Sequence, residues 1–461
     1  MNRRSFIKNA GAFAALSNVS LEQIFLPMPE QLKTIKVTRT NSDFEREKLV
    51  RPFGFKGGFL TELWQTISRM DSETQSGKIG LSTQSVLYGD ADLFAAHSEA
   101  GGNAMMYALA EKALQMVKKT PFTTPVELFD KILPSVMAEG KRITGKQDLN
   151  LNFIYNALVS VDNAAWLLYA AENNFKTFDA LIPAPYRKAL SHHNEKIAIM
   201  YQVPYGMPMD DLKRAAQQGY FVIKIKTGQP GTQAEMLQKD MEKLTQIHNT
   251  LKDARTNQTK NGKLIYTLDA NARYEKKETL LKYLDHAKKI GAHDQILLIE
   301  EPLSEKNDEE VGDVGIRIAG DESVHDEAGA LRRLQQGYGA IVLKGIAKTL
   351  SLSMKLAKLA QERNVPCLCA DLTVNPILID WHRNLAARIA PFPGLGMGLM
   401  ETNGDMNYRN WNTMMGYNPA AGASWNKVKQ GVFELKDDFY QSSAGIFEPS
   451  AHYTQMFSKT Q

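Results

Sequence analysis

The chain has 461 residues, 43% of them hydrophobic, and its 55 basic and 51 acidic residues give a formal charge of +4. This length leaves room for two domains, and the small charge, without a basic block, gives no sign of a nucleic-acid partner. No stretch of 18 apolar residues occurs, so no membrane span is predicted, and two cysteines exclude a disulfide framework.

The first segment, residues 1–30, is predicted to be an export signal. The pair Arg3–Arg4 is followed by Phe6, Lys8 and a mildly apolar run, a pattern that resembles the bacterial twin-arginine signal. This pattern predicts a periplasmic protein. A disordered N-terminus on a cytoplasmic protein is the alternative.

Residues 31–170 are predicted to form an α+β domain. Strands are expected over 35–49 and 60–70, and helices over 104–119, 125–137 and 153–171. The joint between the two strands, 51–58, holds two aromatic residues and three glycines. This composition suits a mobile lid that closes over a substrate, with an ordinary hairpin as the alternative. Phe55 and Lys56 in this joint are candidate substrate contacts.

Five strand-length apolar runs in the middle of the chain each end in charge beside a turn former. The residues at these ends are Lys224 with Lys226, Asp269, Glu300, Asp321 and Lys344. Each of them alone is typical of a solvated edge, a helix cap or a loop. Together, three carboxylates between two sets of lysines indicate a divalent metal ion flanked by ammonium bases.

Alternation within these runs predicts the direction of the charges. Lys224 and Lys226 share one strand face, while Ile223 and Ile225 share the other. The intervening stretches have helical periodicity, over 233–251, 277–290, 328–336 and 349–363. We therefore predict an α/β fold: a TIM-type (β/α)7–8 barrel over 171–410, with the active site at the carboxyl ends of its strands and an N-terminal α+β capping domain. An open doubly wound sheet lacks the expected Gly-rich phosphate loop.

The order and contexts of these residues resemble the enolase superfamily, specifically its muconate-lactonizing-enzyme-like branch, which includes dipeptide epimerases. The contexts are Asp269-Ala-Asn, Ile-Glu300-Glu-Pro and Gly-Asp321-Glu-Ser, and the resemblance covers most of the chain after residue 35. It implies that Asp269, Glu300 and Asp321 bind one Mg²⁺ per subunit. It also implies that Lys226 and Lys344 are the two bases and that Lys224 tunes Lys226. A polar insertion over 254–263 departs from the family spacing and is expected to be a surface loop.

The resemblance also bears on the substrate. Strands seven and eight are expected over 366–371 and 394–403, which makes Asp371 and Glu401 candidate substrate contacts. Dipeptide epimerases carry an Asp-x-Asp motif at strand eight that binds the substrate ammonium, whereas this chain has Glu401-Thr-Asn403. That difference puts the usual Ala-Glu dipeptide in doubt. The segment 84–90 is a second expected substrate-facing loop, and the tail 411–461 is expected to pack on the cap.

The expected chemistry is removal of a proton alpha to a carboxylate, through an enediolate that Mg²⁺ stabilises. Lysine, with a usual pKa of about 10.4, acts as a base when burial or a like charge lowers that value. Two lysines on opposite substrate faces predict an isomerase: a racemase or epimerase of an amino-acid derivative or dipeptide. The resemblance further implies a small-molecule carboxylate substrate and a homo-oligomer.

Several alternatives stay open. Cycloisomerases and o-succinylbenzoate synthase-like dehydratases use the same scaffold. A non-catalytic protein that binds a metal and a carboxylate would need no pair of bases. A metal-dependent hydrolase or a mandelate racemase-like enzyme would present histidine, and none of the nine histidines is predicted at a strand end.

Overall fold

The computed structural model describes residues 32–458, so the predicted export signal lies outside the described residues. The strands are β1 Val37–Phe55, β2 Gly58–Ser72, β3 Lys78–Gln84, β4 Lys196–Val203, β5 Val222–Lys226, β6 Ile265–Asp269, β7 Ile296–Glu300, β8 Ile318–Gly320, β9 Ala340–Leu343, β10 Cys367–Cys369, β11 Gly398–Glu401, β12 Val428–Lys429 and β13 Val432–Glu434. The α-helices are α1 Val86–Gly89, α2 Ala91–Val117, α3 Pro125–Thr144, α4 Leu151–Glu172, α5 Phe178–Leu181, α6 Met209–Gln217, α7 Gln233–Leu251, α8 Lys277–Lys289, α9 Glu327–Gln335, α10 Leu350–Glu362, α11 Pro376–Arg388, α12 Gly404–Asn407, α13 Trp411–Gly416, α14 Asp437–Ser442 and α15 Ala451–Met456.

The cap is a three-stranded antiparallel sheet in the order β1-β2-β3, followed by helices α1 to α4. β1 and β2 continue into the 51–58 joint, where only Lys56 and Gly57 form the turn. Both turn residues have positive φ (50° and 76°), as a two-residue hairpin turn with a right-handed strand twist requires. The joint is therefore a tight hairpin, and its closing over a substrate stays a prediction.

Helix α4 packs directly on β3. A Cβ atom built on Gly80 would lie 2.1 Å from the backbone oxygen of Ser160 and 2.3 Å from the backbone nitrogen of Ala164. Asn163 Nδ2 donates a hydrogen bond of 3.0 Å to Leu81 O across the same contact. Only glycine allows the strand and the helix to come this close.

The barrel consists of eight parallel strands, β4 to β11, in sequence order. β11 pairs with β4 and closes the sheet, which confirms the TIM-type barrel and excludes the open doubly wound sheet. The register pairs Lys226 with Asp269 and Asp269 with Glu300, so the charged ends of neighbouring strands stand at one level.

The barrel helices follow the predicted periodicity. α7 has the predicted bounds and begins with a capping box, in which the side chains of Thr232 and Glu235 each accept a hydrogen bond from the other residue's backbone N–H. α8, α9 and α10 end within a residue of their predicted limits. Residues 301–317 join β7 to β8 as irregular structure. Within residues 32–458 no helix combines the length and apolarity that crossing a membrane requires.

The C-terminal tail contacts both parts of the chain. Its strand β13 pairs antiparallel with the first half of β4. Further along the same edge, the second half of β4 pairs with β5. His452 Nε2 lies 2.8 Å from Glu45 Oε1 on the cap strand β1. The tail therefore contacts both the amino-terminal end of β4 in the barrel and the cap.

The packing of helix α4 on strand β3 can be tested directly at Gly80. We expect Gly80→Ala to lower the free energy of unfolding by about 1–3 kcal/mol or more, because the new methyl group meets backbone atoms that cannot rotate away. Gly101→Ala in α2 is the matched control, since the nearest atoms there lie at 3.6 Å. Alanine in that helix should be neutral or stabilising by about 0.5–1 kcal/mol. Urea unfolding of the two variants checks this, and equal stability would contradict the packing.

Candidate functional site

The three predicted metal ligands lie together at the carboxyl ends of adjacent strands. Asp269 ends β6, Glu300 ends β7 and Asp321 directly follows β8, and all three side chains are at most 1% exposed. Parallel pairing of these strands brings the three positions to one end of the barrel, as the sequence predicts.

Lys224 is the central cation of this cluster. Its Nζ donates hydrogen bonds to Glu300 Oε2 at 2.7 Å and Glu401 Oε2 at 2.9 Å, and it lies 3.0 Å from Asp269 Oδ2. Gln202 Nε2 donates to the other oxygen of Glu401 at 2.6 Å. Glu401, a predicted substrate contact, therefore has both oxygens engaged by the protein.

The two predicted bases stand on opposite walls of the barrel. Lys226 Nζ donates to Asp269 Oδ2 at 2.6 Å and to Asn271 Oδ1 at 3.1 Å. Lys344 Nζ lies 2.5 Å from Asp321 Oδ2. Lys226 is on β5 and Lys344 follows β9, and in the closed eight-stranded sheet three strands separate β5 from β9 in either direction.

Lys348 and Glu301 also hold Asp321, and the sequence analysis missed both. The buried Lys348 Nζ lies 3.1 Å from Asp321 Oδ1 and donates to the backbone oxygen of Val324 at 3.1 Å. Glu301 Oε2 accepts hydrogen bonds from Asp321 N at 2.7 Å and Ser323 Oγ at 2.9 Å. The sequence does contain a signal for both residues: a lysine follows Lys344 by four positions, and a second glutamate stands beside Glu300.

Burial and the neighbouring charges set the protonation of this cluster. Burial opposes ionisation of Asp269, but Lys224 and Lys226 outweigh it and lower the pKa of Asp269 to about 2. The pKa of Glu300 is raised, by burial first and then by the charge of Asp269. Burial would lower the pKa of Lys344, but Asp321 and other acidic neighbours raise it. The lysines thus offset much of the negative charge of a buried acidic site.

A small cavity of about 20 Å³ lies between the cap and this end of the barrel. The cap contributes apolar and aromatic side chains, from Phe53, Phe55, Leu60 and Tyr88. The barrel contributes Lys226 and Lys344 together with polar residues, from Gln202, Asn271, Asp371, Thr373 and Asn403. This combination of apolar walls and a few converging polar groups is typical of small-molecule sites.

The predicted substrate contacts stand in different relations to this cavity. Phe55 lines it, with its ring centroid 5.6 Å from Lys226 Nζ. Lys56 is not among the lining residues, and its Nζ donates a hydrogen bond to the backbone oxygen of Tyr88 at 3.2 Å. Just after β11, Asn403 lines the cavity, whereas Glu401 at the end of β11 is not among its lining residues.

Asp371 lines the cavity as a carboxylate held by backbone N–H groups. Its Oδ1 accepts from Leu372 N and Val374 N, and its Oδ2 accepts from Asn403 N at 2.9 Å. Burial, and after it the charge of Glu401, raises the pKa of Asp371 to about 7. Among the described side chains, no cation forms an ion pair with Asp371.

The sequence of the barrel is similar to that of a known protein family. Residues 209–403 match the family model described as "Enolase C-terminal domain-like". The barrel region over these residues is similar to that family. The predicted resemblance to the enolase superfamily is thereby confirmed, while no curated protein matches the sequence at a significant level.

Many solved structures are similar in fold to this chain, among them an enolase-superfamily member and two epimerases. A member of the enolase superfamily from Listeria innocua is 16% identical, with a TM-score of 0.62, and the match covers 92% of this chain and 97% of that one. A dipeptide epimerase from Cytophaga hutchinsonii, complexed with Mg and D-Ala-L-Val, is 17% identical, with a TM-score of 0.58 and coverage of 81% and 88%. The L-Ala-D/L-Glu epimerase from Bacillus subtilis is 15% identical, with a TM-score of 0.57 and coverage of 81% and 91%.

The donor set of the enolase-like barrel fits a hard cation such as Mg²⁺. Glu300 Oε1 and Glu322 Oε2 are buried without a hydrogen-bond partner in residues 32–458, and the Asp321 carboxylate oxygens are held by lysine ion pairs alone. All these donors are carboxylate oxygens, which Mg²⁺ prefers. As placed, no three acidic, histidine or cysteine side chains of the described residues gather closely enough to hold a metal ion, because lysine ammonium groups lie between the carboxylates.

The raised pKa of Asp371 predicts a pH dependence of stability. Its pKa is about 7 in the folded chain against an ordinary value of about 3.9, so the folded state binds this proton more tightly and stability is lost as pH rises between these values. Between pH 5 and pH 8, the free energy of unfolding of the parent should fall by about 2–3 kcal/mol relative to that of Asp371→Asn.

Urea unfolding of both proteins at the two pH values measures this difference. Asp294→Asn, at a side chain that is 96% exposed, is the control for the effect of pH on the rest of the molecule. The same pH dependence in the parent and in Asp371→Asn would contradict the prediction.

Proposed function

We propose that the protein is a racemase or epimerase that moves the proton alpha to a carboxylate in an amino-acid derivative or dipeptide. The observation that carries this proposal is the placement of Lys226 and Lys344 on opposite walls of one cavity. A substrate between them presents one face of its alpha carbon to each lysine. One proton acceptor and one proton donor on opposite faces are what inversion of a carbon centre needs.

The steps follow from these positions. The amine of one lysine takes the alpha proton, and the electrons of the broken C–H bond move into the substrate carboxylate. The ammonium of the other lysine then returns a proton on the opposite face. The cap rings exclude water, since Phe55 lies 5.6 Å from Lys226 Nζ and Tyr88 lies 4.4 Å from Lys344 Nζ.

The metal belongs to the same proposal. Asp269, Glu300 and Asp321 would hold Mg²⁺, a Lewis acid for the carboxylate on which negative charge develops. Support comes from the buried carboxylate oxygens without hydrogen bonds and from fold neighbours described with Mg, such as the epimerase from Cytophaga hutchinsonii.

The carboxylates near the ends of β10 and β11 support the proposed substrate class. Glu401 is engaged by Lys224 and Gln202, which leaves Asp371 as the carboxylate that faces the cavity without a cationic partner among the described side chains. Its Oδ2 accepts one hydrogen bond and has a further lone pair. Asp371 can therefore accept a hydrogen bond from an amide or ammonium N–H of the substrate.

Deuterium uptake from D₂O tests the two-base proposal. With Mg²⁺ and a library of dipeptides and N-acyl amino acids, the parent should exchange the alpha proton of both stereoisomers of its substrate, as measured by mass spectrometry. Lys226→Ala and Lys344→Ala should each lose exchange from one stereoisomer by about 10²–10⁴-fold and retain it from the other. Neither variant should interconvert the isomers.

The surface variant Lys282→Ala is the control, since its side chain is 61% exposed on α8. Loss of exchange from the same stereoisomer in both active-site variants would overturn the two-base arrangement. Absence of exchange with every library member would overturn the proposed substrate class and direct the search to elimination or cycloisomerisation of other carboxylates.

Metal removal gives a separate test. Chelation with EDTA should abolish exchange, and added Mg²⁺ should restore it. Glu300→Gln should weaken Mg²⁺ binding at least about 10-fold in isothermal titration calorimetry, because it removes one negative donor. Asp240→Asn is the matched control, a buried carboxylate on α7 that accepts from Gly228 N at 2.8 Å, behind the barrel wall. Unchanged Mg²⁺ affinity in Glu300→Gln would contradict the assigned site.

A further inference from the structure

Tyr88 is a cap residue whose surroundings belong to the reacting site. It lies in α1, is 1% exposed and lines the cavity. Its ring centroid is 4.4 Å from Lys344 Nζ, a cation–π distance, and Lys56 Nζ holds its backbone oxygen. The ring is therefore fixed beside one of the two lysines.

The hydroxyl of Tyr88 has no hydrogen-bond partner in residues 32–458, although it is buried. Burial, followed by the charges of Asp321, Glu322 and Glu300, raises its pKa far above the ordinary value, so the group stays a neutral donor. A buried hydroxyl without a partner costs stability that phenylalanine would not cost. Lys344 Nζ, next to the Tyr88 ring, lies 2.5 Å from Asp321 Oδ2, so the ring stands beside the acidic cluster where the substrate carboxylate is expected.

We propose that Tyr88 is a catalytic residue whose hydroxyl donates a hydrogen bond to the substrate carboxylate. This inference rests on the proposed function. As the alpha proton leaves, negative charge grows on the carboxylate oxygens, so a fixed donor there stabilises the transition state more than the bound substrate. The ring of the same residue keeps the Lys344 ammonium next to the alpha carbon.

Tyr88→Phe separates the hydroxyl from the ring. It keeps the aromatic contact with Lys344 and removes only the donor, so kcat should fall by about 100-fold while KM rises by only about 5- to 10-fold. The melting temperature without substrate should stay the same or rise, because the oxygen that is removed has no partner in the protein. A hydroxyl with a structural role would instead lower the melting temperature.

Tyr283→Phe is the matched control. Tyr283 lies in α8, is 1% exposed and also has a hydroxyl without a hydrogen-bond partner among the described residues, but it does not line the cavity. Its variant should gain or keep stability in the same way and retain full activity. Equal activity of Tyr88→Phe and Tyr283→Phe overturns the inference.

A binding measurement separates this inference from the proposed function. In calorimetric titration with N-acetylglycinate and Mg²⁺, the parent and Tyr283→Phe should bind equally, and Tyr88→Phe should bind about 5- to 10-fold more weakly. Binding that is unchanged in Tyr88→Phe overturns only the role of Tyr88. Absence of binding to the parent overturns both the inference and the proposed carboxylate site.

Discussion

The fully buried ammonium of Lys224 is the interaction around which the site is organised. A buried cation of this kind is tolerated only when anions surround it, and here the anions come from β6, β7 and β11. One side chain thus ties four of the eight strands together at their carboxyl ends. It also fixes the acidic residues that are candidates for the metal and donates a hydrogen bond to Glu401.

The cap is connected to the same end of the barrel through the buried carboxylate of Asp162. Asp162 of α4 accepts hydrogen bonds from Leu350 N at 2.7 Å and Ser351 N at 3.2 Å at the start of α10. The residues just before α10 include Lys344 and Lys348. A carboxylate at a helix N-terminus is a favourable placement, and here it ties the segment that bears one base to the cap that supplies its aromatic neighbour.

Patterns of local origin could be read from the sequence. The capping residues and apolar face of α7 are set within a few turns, so its bounds were predicted to the residue. Lys224, Asp269 and Glu300 were placed correctly because period-two alternation and parallel strands decide both the face and the end of the sheet. The family resemblance added roles to residues that the pattern had already selected.

What could not be read from the sequence depends on distant contacts. Lys224, one partner of Glu401, is 177 residues away and is brought near only when the barrel closes. Lys348 lies in a loop that has no periodicity, and its burial depends on backbone oxygens of another segment. The antiparallel pairing of β13 with β4 joins segments more than 230 residues apart and leaves no mark in either short run.

That last pairing has a consequence for biosynthesis. While the chain emerges from the ribosome, the first half of β4 has an edge without a strand until Val432–Glu434 has been made. All eight barrel strands have by then been synthesised. An exposed strand edge is a template for pairing between chains. A nascent chain halted shortly after β11 would carry an almost complete barrel with such an edge, and would be prone to associate with other nascent chains translated from the same mRNA.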